Sequence, residues 1–243
     1  MNIAQEFYAL FSIHGLLALC VLSVLELVLG IDNIIFISLV IIKLPEGKRL
    51  SARVIGLSLA LVMRIALLFG IVWISTITTI LFSVSGFDVS VRDLLFFVGG
   101  AYLLWNTSLE LIKHINGELD EKKEDTKSVS YKTVIAQIVL VDIIFSFDSI
   151  FTAIGLIQNF VIMSAAVACG MVFMLWISGK TSEFINRHPT IKTLALCFII
   201  VVGLLLLSSA LHYNMPKGYF YAALGFALAV ELLNMRMRKN AGE

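Results

Sequence analysis

Seven stretches of this chain are each long and apolar enough to cross a lipid bilayer, over residues 13–42, 54–82, 94–112, 133–157, 161–178, 191–211 and 219–235. A helix needs about 20 apolar residues to traverse the hydrocarbon. Backbone polar groups left unpaired there are so costly that only helices and closed barrels span it. Runs of this length therefore predict an all-α fold, a polytopic transmembrane helical bundle of seven spans. Polar punctuation separates most of them: Leu44-Pro45-Glu46-Gly47, Ser85-Gly86-Phe87-Asp88, His188-Pro189 and Met215-Pro216-Lys217-Gly218. The shortest separator is Gln158-Asn159, but fusing its two flanking runs gives a stretch too long for one crossing. The first run is long enough to be tilted or broken.

Composition agrees. Only 14% of the residues are charged and the mean hydropathy is +0.97, against roughly 25% charged in a soluble domain. A net charge of +1 supplies no basic field for nucleic acid. Cys20, Cys169 and Cys197 are isolated in apolar runs with no CxxC spacing, so neither a thiolate metal site nor a disulfide framework is expected. Residues 1–12 hold no Lys or Arg, and the run that follows is too long for a signal peptide. The whole chain, 1–243, reads as a single transmembrane domain.

Basic residues fix an orientation. Lys and Arg gather in the loops after the first, third and fifth runs and after the seventh, leaving Arg92 and Lys217 on the other side and Arg64 inside a run. Because cytoplasmic loops carry the excess of positive charge, the N-terminus is expected outside and the C-terminus in the cytoplasm. The one long polar stretch, about 114–130, reads as a solvated cytoplasmic linker.

The first and fourth runs contain matching segments. Glu26-Leu27-Val28-Leu29-Gly30-Ile31-Asp32-Asn33-Ile34 aligns with Asp142-Ile143-Ile144-Phe145-Ser146-Phe147-Asp148-Ser149-Ile150 at a constant offset of 116 residues. Acid meets acid twice, and Asn33 and Ser149 each follow the second acid. The offset implies two three-helix repeats, about 13–112 and 131–211, with an extra helix at about 219–235. Three is odd, so the repeats are inverted in the membrane, an architecture that places transporter sites near the midplane.

A carboxylate at the centre of a span costs about 2.5–3.5 kcal/mol on insertion scales. Glu26, Asp32, Asp142 and Asp148 together would cost as much as a domain's whole stability. Arg64, the one basic group inside a run, cannot offset four acids; it is expected to act as an ion-pair partner or a gate. A divalent cation with proton uptake would complete the balance. Glu26 and Asp32 are about 120° apart on an ideal helix, and unwinding at Gly30 or Ser146 would turn both acids of a segment inward. The candidate ion-binding set is Glu26, Asp32, Asn33, Asp142, Asp148 and Ser149, with the four acids as metal ligands. All of these donors are oxygen, which suits Mn²⁺, Ca²⁺ or Mg²⁺.

The segments 26–36 and 142–150 resemble the two signature segments of the TerC family of integral membrane proteins. His188-Pro189-Thr190-Ile191-Lys192, Pro216-Lys217-Gly218-Tyr219 and Val230-Glu231-Leu232-Leu233-Asn234 resemble its YgdQ-like bacterial branch. The resemblance implies a bacterial inner (cytoplasmic) membrane protein linked to metal ions, with manganese efflux as the favoured activity. The expected partners are the lipid bilayer and the metal ion as substrate, with a homo-oligomer left open. Enzymatic activity is not expected, since no protease-like or phosphate-cradling motif accompanies the acids. The alternative is a non-transporting membrane scaffold that supports metalation of envelope proteins.

Overall fold

A computed structural model of the chain describes residues 3–73, 80–84, 87–117, 130–157, 159–213 and 215–241. These form helices α1 (Ile3–Leu10), α2 (Ile13–Leu29), α3 (Ile31–Ile42), α4 (Glu46–Trp73), α5 (Val91–Ile115), α6 (Tyr131–Leu156), α7 (Phe160–Arg187), α8 (Pro189–Ala210) and α9 (Lys217–Ala241), with strands β1 (Ile80–Val84) and β2 (Phe87–Ser90) between α4 and α5. Five of the helices are long and apolar enough to cross a membrane, and a sixth span is formed if the bent pair α2–α3 counts as one. Seven were expected; α6, over the fourth run, has 26 residues but is not one of these six among the described residues. Most of the linker expected over 114–130 lies outside the described residues, as does the Ser85-Gly86 punctuation.

Two expectations need correction. The second run does not stay helical to Phe82: α4 ends at Trp73, and Ile80–Val84 pairs antiparallel with Phe87–Ser90, in a register of Ser83 with Asp88 and Val84 with Phe87. The fold remains an all-α membrane bundle, with this one small hairpin between α4 and α5. The physical cause lies in residue type. From Ile77 to Val89 the run is rich in Ile, Thr, Val and Phe, which suit a pleated surface as well as a helix. Secondly, the matched segments are not equally broken. Gly30 divides α2 from α3 with a bend of 46°, whereas α6 runs through Ser146 without interruption.

The chain divides into two compact units, residues 1–92 with 128–183, and residues 93–127 with 184–243. In the first, Ser12 turns α1 into α2. It is extended (φ −73°, ψ 156°), and its hydroxyl accepts from Gly15 N at 3.0 Å, the standard N-cap arrangement. A Cβ at Gly15 would lie 2.0 Å from Ala9 O, so only glycine fits this corner. α3 is buried over nearly its whole length, from Asp32 to Ile41. α6 packs chiefly against α4 and also against α3. It presents Val134, Ile138 and Val141, all almost fully buried, at the three-to-four spacing of one helix face.

In the second unit α5 and α8 meet closely. A Cβ at Gly100 would fall 2.8 Å from Gly203 O, the close backbone approach that small residues permit between membrane helices. Phe220 of α9 stacks on Phe198 of α8 with centroids 4.6 Å apart. His212, in the left-handed region at φ 63°, ends α8 and sets its Nε2 3.1 Å from Asp93 Oδ2. In both units the outward helix faces expose large apolar groups such as Trp105, Val172, Trp176 and Phe226. A surface this greasy belongs in lipid. Cys20, Cys169 and Cys197 are free and exposed.

Candidate functional site

The last full turn of α2 carries Glu26 toward the interior, four residues before the break at Gly30. The break falls at a crowded glycine: a Cβ on Gly30 would come 2.1 Å from Met174 Cε and 2.9 Å from Glu26 O, so a larger residue there would have to displace Met174. Gly170, one turn before Met174 on α7, gives Glu26 its room, since a Cβ there would lie 2.7 Å from Glu26 Cγ. Glu26 is 5% exposed.

Arg64 is drawn from α4 into the same place and is 2% exposed. Its Nη1 forms an ion pair with Glu26 Oε1. Its Nη2 donates to Asp142 Oδ1 of α6 at 2.9 Å, and its Nε donates to Ser146 Oγ at 2.7 Å. One guanidinium therefore ties α2, α4 and α6 together, and it joins the leading acids of the two matched segments. The Ser146 hydroxyl also bonds back to the Asp142 carbonyl one turn earlier. This local bond satisfies the hydroxyl within the helix, so Ser146 sits inside an unbroken α6 where Gly30 interrupts its counterpart.

Asn33, in the first turn of α3, donates from Nδ2 to Asp142 Oδ1 at 3.3 Å. Its own Oδ1 is sealed from solvent and has no hydrogen-bond partner among the described residues. Buried polar atoms are nearly always satisfied, which makes this oxygen a vacant acceptor beside a carboxylate. Ser149 donates to Ser146 O at 3.1 Å. It lines a small pocket with Glu26, Leu22, Leu68, Met163 and Val167.

Of the sequence-predicted set, Glu26, Asn33, Arg64 and Asp142 thus meet in one hydrogen-bonded network, with Ser149 about two turns beyond Asp142 along α6. Asp32 is buried in the same turn as Asn33. The side chain of Asp148 lies outside the described residues. Among the described residues no cluster of three or more His, Cys, Asp or Glu is gathered as a ready cage for an ion; the two acids seen together are held by Arg64. Gly170 and Met174 were missed. Their trace in the sequence is the small-xxx-small pair Ala166 and Gly170, which marks a face made for close approach.

At the end of unit 1 away from α1, hydrogen bonds join α4 and α3 to α7. Arg53 Nη2 donates to Ser182 Oγ at 3.3 Å, and Ser38 Oγ donates to Ser178 O at 3.4 Å. At the α1 end, Glu6 Oε2 accepts from Phe160 N at 3.0 Å and so caps α7. The pocket beside Glu26 lies on this side of the Arg64 network.

Residues 11–242 match the model of the integral membrane protein TerC family. The chain is 46% identical over 225 residues to the UPF0053 inner membrane protein YgdQ of Escherichia coli K12, covering 92% of this chain and 94% of that protein. It is 41% identical over 223 residues to a UPF0053 protein of Haemophilus influenzae, with the same coverage. The UPF0053 inner membrane protein YoaE of Escherichia coli K12 is 41% identical over 222 residues, which make up 43% of its length. No solved structure matches the chain.

Proposed function

The chain belongs to the TerC family of integral membrane proteins, and from that footing we propose that it is a bacterial inner-membrane transporter that exports a divalent metal cation, manganese foremost, in exchange for protons. The location follows the printed names of its relatives. The observation that carries the function is the convergence of two buried carboxylates, 116 residues apart in sequence, on one internal cation, with an unsatisfied amide oxygen beside them. Carboxylate, amide and hydroxyl oxygens are the ligands of hard or borderline divalent ions. Charge held in a bilayer at this cost marks an ion pathway by default.

In this reading Glu26, Asp32, Asp142 and Asp148 bind the ion, assisted by Asn33 and Ser149, and two inverted halves alternate access to it. The division of the chain supports the repeat. Unit 1 collects the first two spans of each expected repeat, and unit 2 collects the third span of each together with α9. Sequence order alone would have separated the repeats.

The test is Mn²⁺ flux in proteoliposomes, with and without an imposed pH gradient, and with Ca²⁺ and Mg²⁺ as competitors. Glu26→Gln, Asp32→Asn, Asp142→Asn and Asp148→Asn should each lower flux by about tenfold or more, since ligand charge sets affinity for such cations. Undiminished flux in all four variants would end the proposal.

A further inference from the structure

We infer that Arg64 is a tethered stand-in for the transported cation: its guanidinium fills the place between Glu26 and Asp142, and the ion has to displace it. The inference rests on the proposed transport of a divalent cation and adds the group that competes with the substrate.

Three observations carry it. The first is the way Arg64 is held. A counter-ion that only neutralised a buried acid would need one carboxylate. Arg64 instead bridges Glu26 and Asp142, the leading acids of the two matched segments, and adds Ser146 through Nε. It is coordinated by oxygens from α2 and α6 much as an ion would be. Both acids are therefore freed only when this side chain moves.

The second is the direction in which it can leave. A small pocket next to Glu26 is lined by Leu68, one turn along α4 from Arg64, and by Ser149, and residues four apart share a helix face. The pocket has room for about one water molecule, so the guanidinium enters this side only as the side chains around it give way. Ser149 spends its hydroxyl hydrogen on Ser146 O, which leaves its lone pairs open to a guanidinium N–H.

The third is what the departure leaves. Asp142 Oδ1, which accepts from Arg64 Nη2, also accepts from Asn33. The unsatisfied Asn33 Oδ1 belongs to the same amide. Removal of the guanidinium exposes carboxylate oxygens with an amide oxygen in attendance, a donor set for a divalent ion.

The experiment is Mn²⁺ binding to the full-length protein in detergent, read from loss of the free-ion EPR signal, alongside Mn²⁺ flux in liposomes. If a tethered cation occupies the site nine-tenths of the time, its removal should tighten apparent binding by about tenfold. Arg64→Met, similar in length and uncharged, should therefore bind Mn²⁺ about tenfold more tightly than the wild type, gain more thermal stability from Mn²⁺, and turn over more slowly. Binding equal to or weaker than wild type in a folded Arg64→Met protein overturns the inference and makes Arg64 a support for the acids. Should that variant fail to accumulate, Arg64→Lys decides. Its ammonium cannot reach Glu26, Asp142 and Ser146 together, so binding tighter than wild type is expected and binding no tighter overturns the inference. If the wild-type protein itself moves no divalent cation, the transport reading falls, and this inference with it.

Discussion

At the scale of single residues, Asn33 separates a binding role from a packing role. Its Oδ1 is buried with no donor, and leaving such a group unsatisfied costs about 1–3 kcal/mol. Leucine at this position would remove that cost and lose only the 3.3 Å bond to Asp142. Asn33→Leu should therefore melt at or slightly above the wild-type temperature in detergent, while Mn²⁺ flux falls by about 10- to 100-fold. A loss of stability in step with flux would show that the amide serves the fold alone. The acids around it were legible in the sequence because charge inside an apolar run has few benign explanations. The partner choice was not. That Arg64 reaches Glu26 and Asp142, 38 residues before it and 78 after it, depends on how three helices are rotated. Apolar spans carry little sequence signal for rotation, because lipid-facing and core-facing positions are equally greasy. Met174 and Gly170 were hidden for the same reason.

At the scale of the element, the contrast between α2–α3 and α6 tests what the break is for. Gly30 bends its span by 46°, and Met174 is packed into the notch that the missing side chain leaves. Alanine at position 30 must push Met174 aside and strain the turn at Glu26 O, an overpacking that costs about 1–3 kcal/mol. Removing the obstacle should recover part of it: Gly30→Ala with Met174→Ala should be more stable than the sum of the single changes by at least about 0.5 kcal/mol. Thermal unfolding of the four proteins measures this coupling. Flux should stay low in the double variant, because a straightened span turns Glu26 away from Arg64. Glycine four residues after an intramembrane acid was a readable signal for this bend. The hairpin of β1 and β2 was not, since an apolar stretch with Ile, Thr and Val reads as a span until a partner strand is found. The unbroken course of α6 was equally hidden, because it depends on a bond from Ser146 Oγ to its own helix and on the guanidinium above it.

At the scale of the whole molecule the open quantity is parity. The helices that meet the length and composition of a span number six when α2 and α3 are joined. The seventh that the sequence leads one to expect is α6, whose 26 residues would extend about 39 Å at 1.5 Å per residue, enough to cross. Six crossings would leave the two termini on the same side, and seven leave them opposite. The basic residues argue for seven. Lys43, Lys48, Arg49 and Arg53 follow the first span, Lys113 to Lys132 follow the third, Lys180, Arg187 and Lys192 surround the end of the fifth, and Arg236 and Arg238 follow the last. These groups fall on one side only if α6 crosses. Without it, the groups after the fifth and seventh spans would face the opposite compartment from those after the first and third, against the positive-inside rule. The expected outcome is alkaline phosphatase activity from a fusion placed after residue 86, fluorescence from green fluorescent protein fused at the C-terminus, and labelling of an N-terminal cysteine by a membrane-impermeant thiol reagent in intact spheroplasts. Termini on a common side would remove α6 from the membrane, and with it the proposed inverted pairing of Glu26 with Asp142.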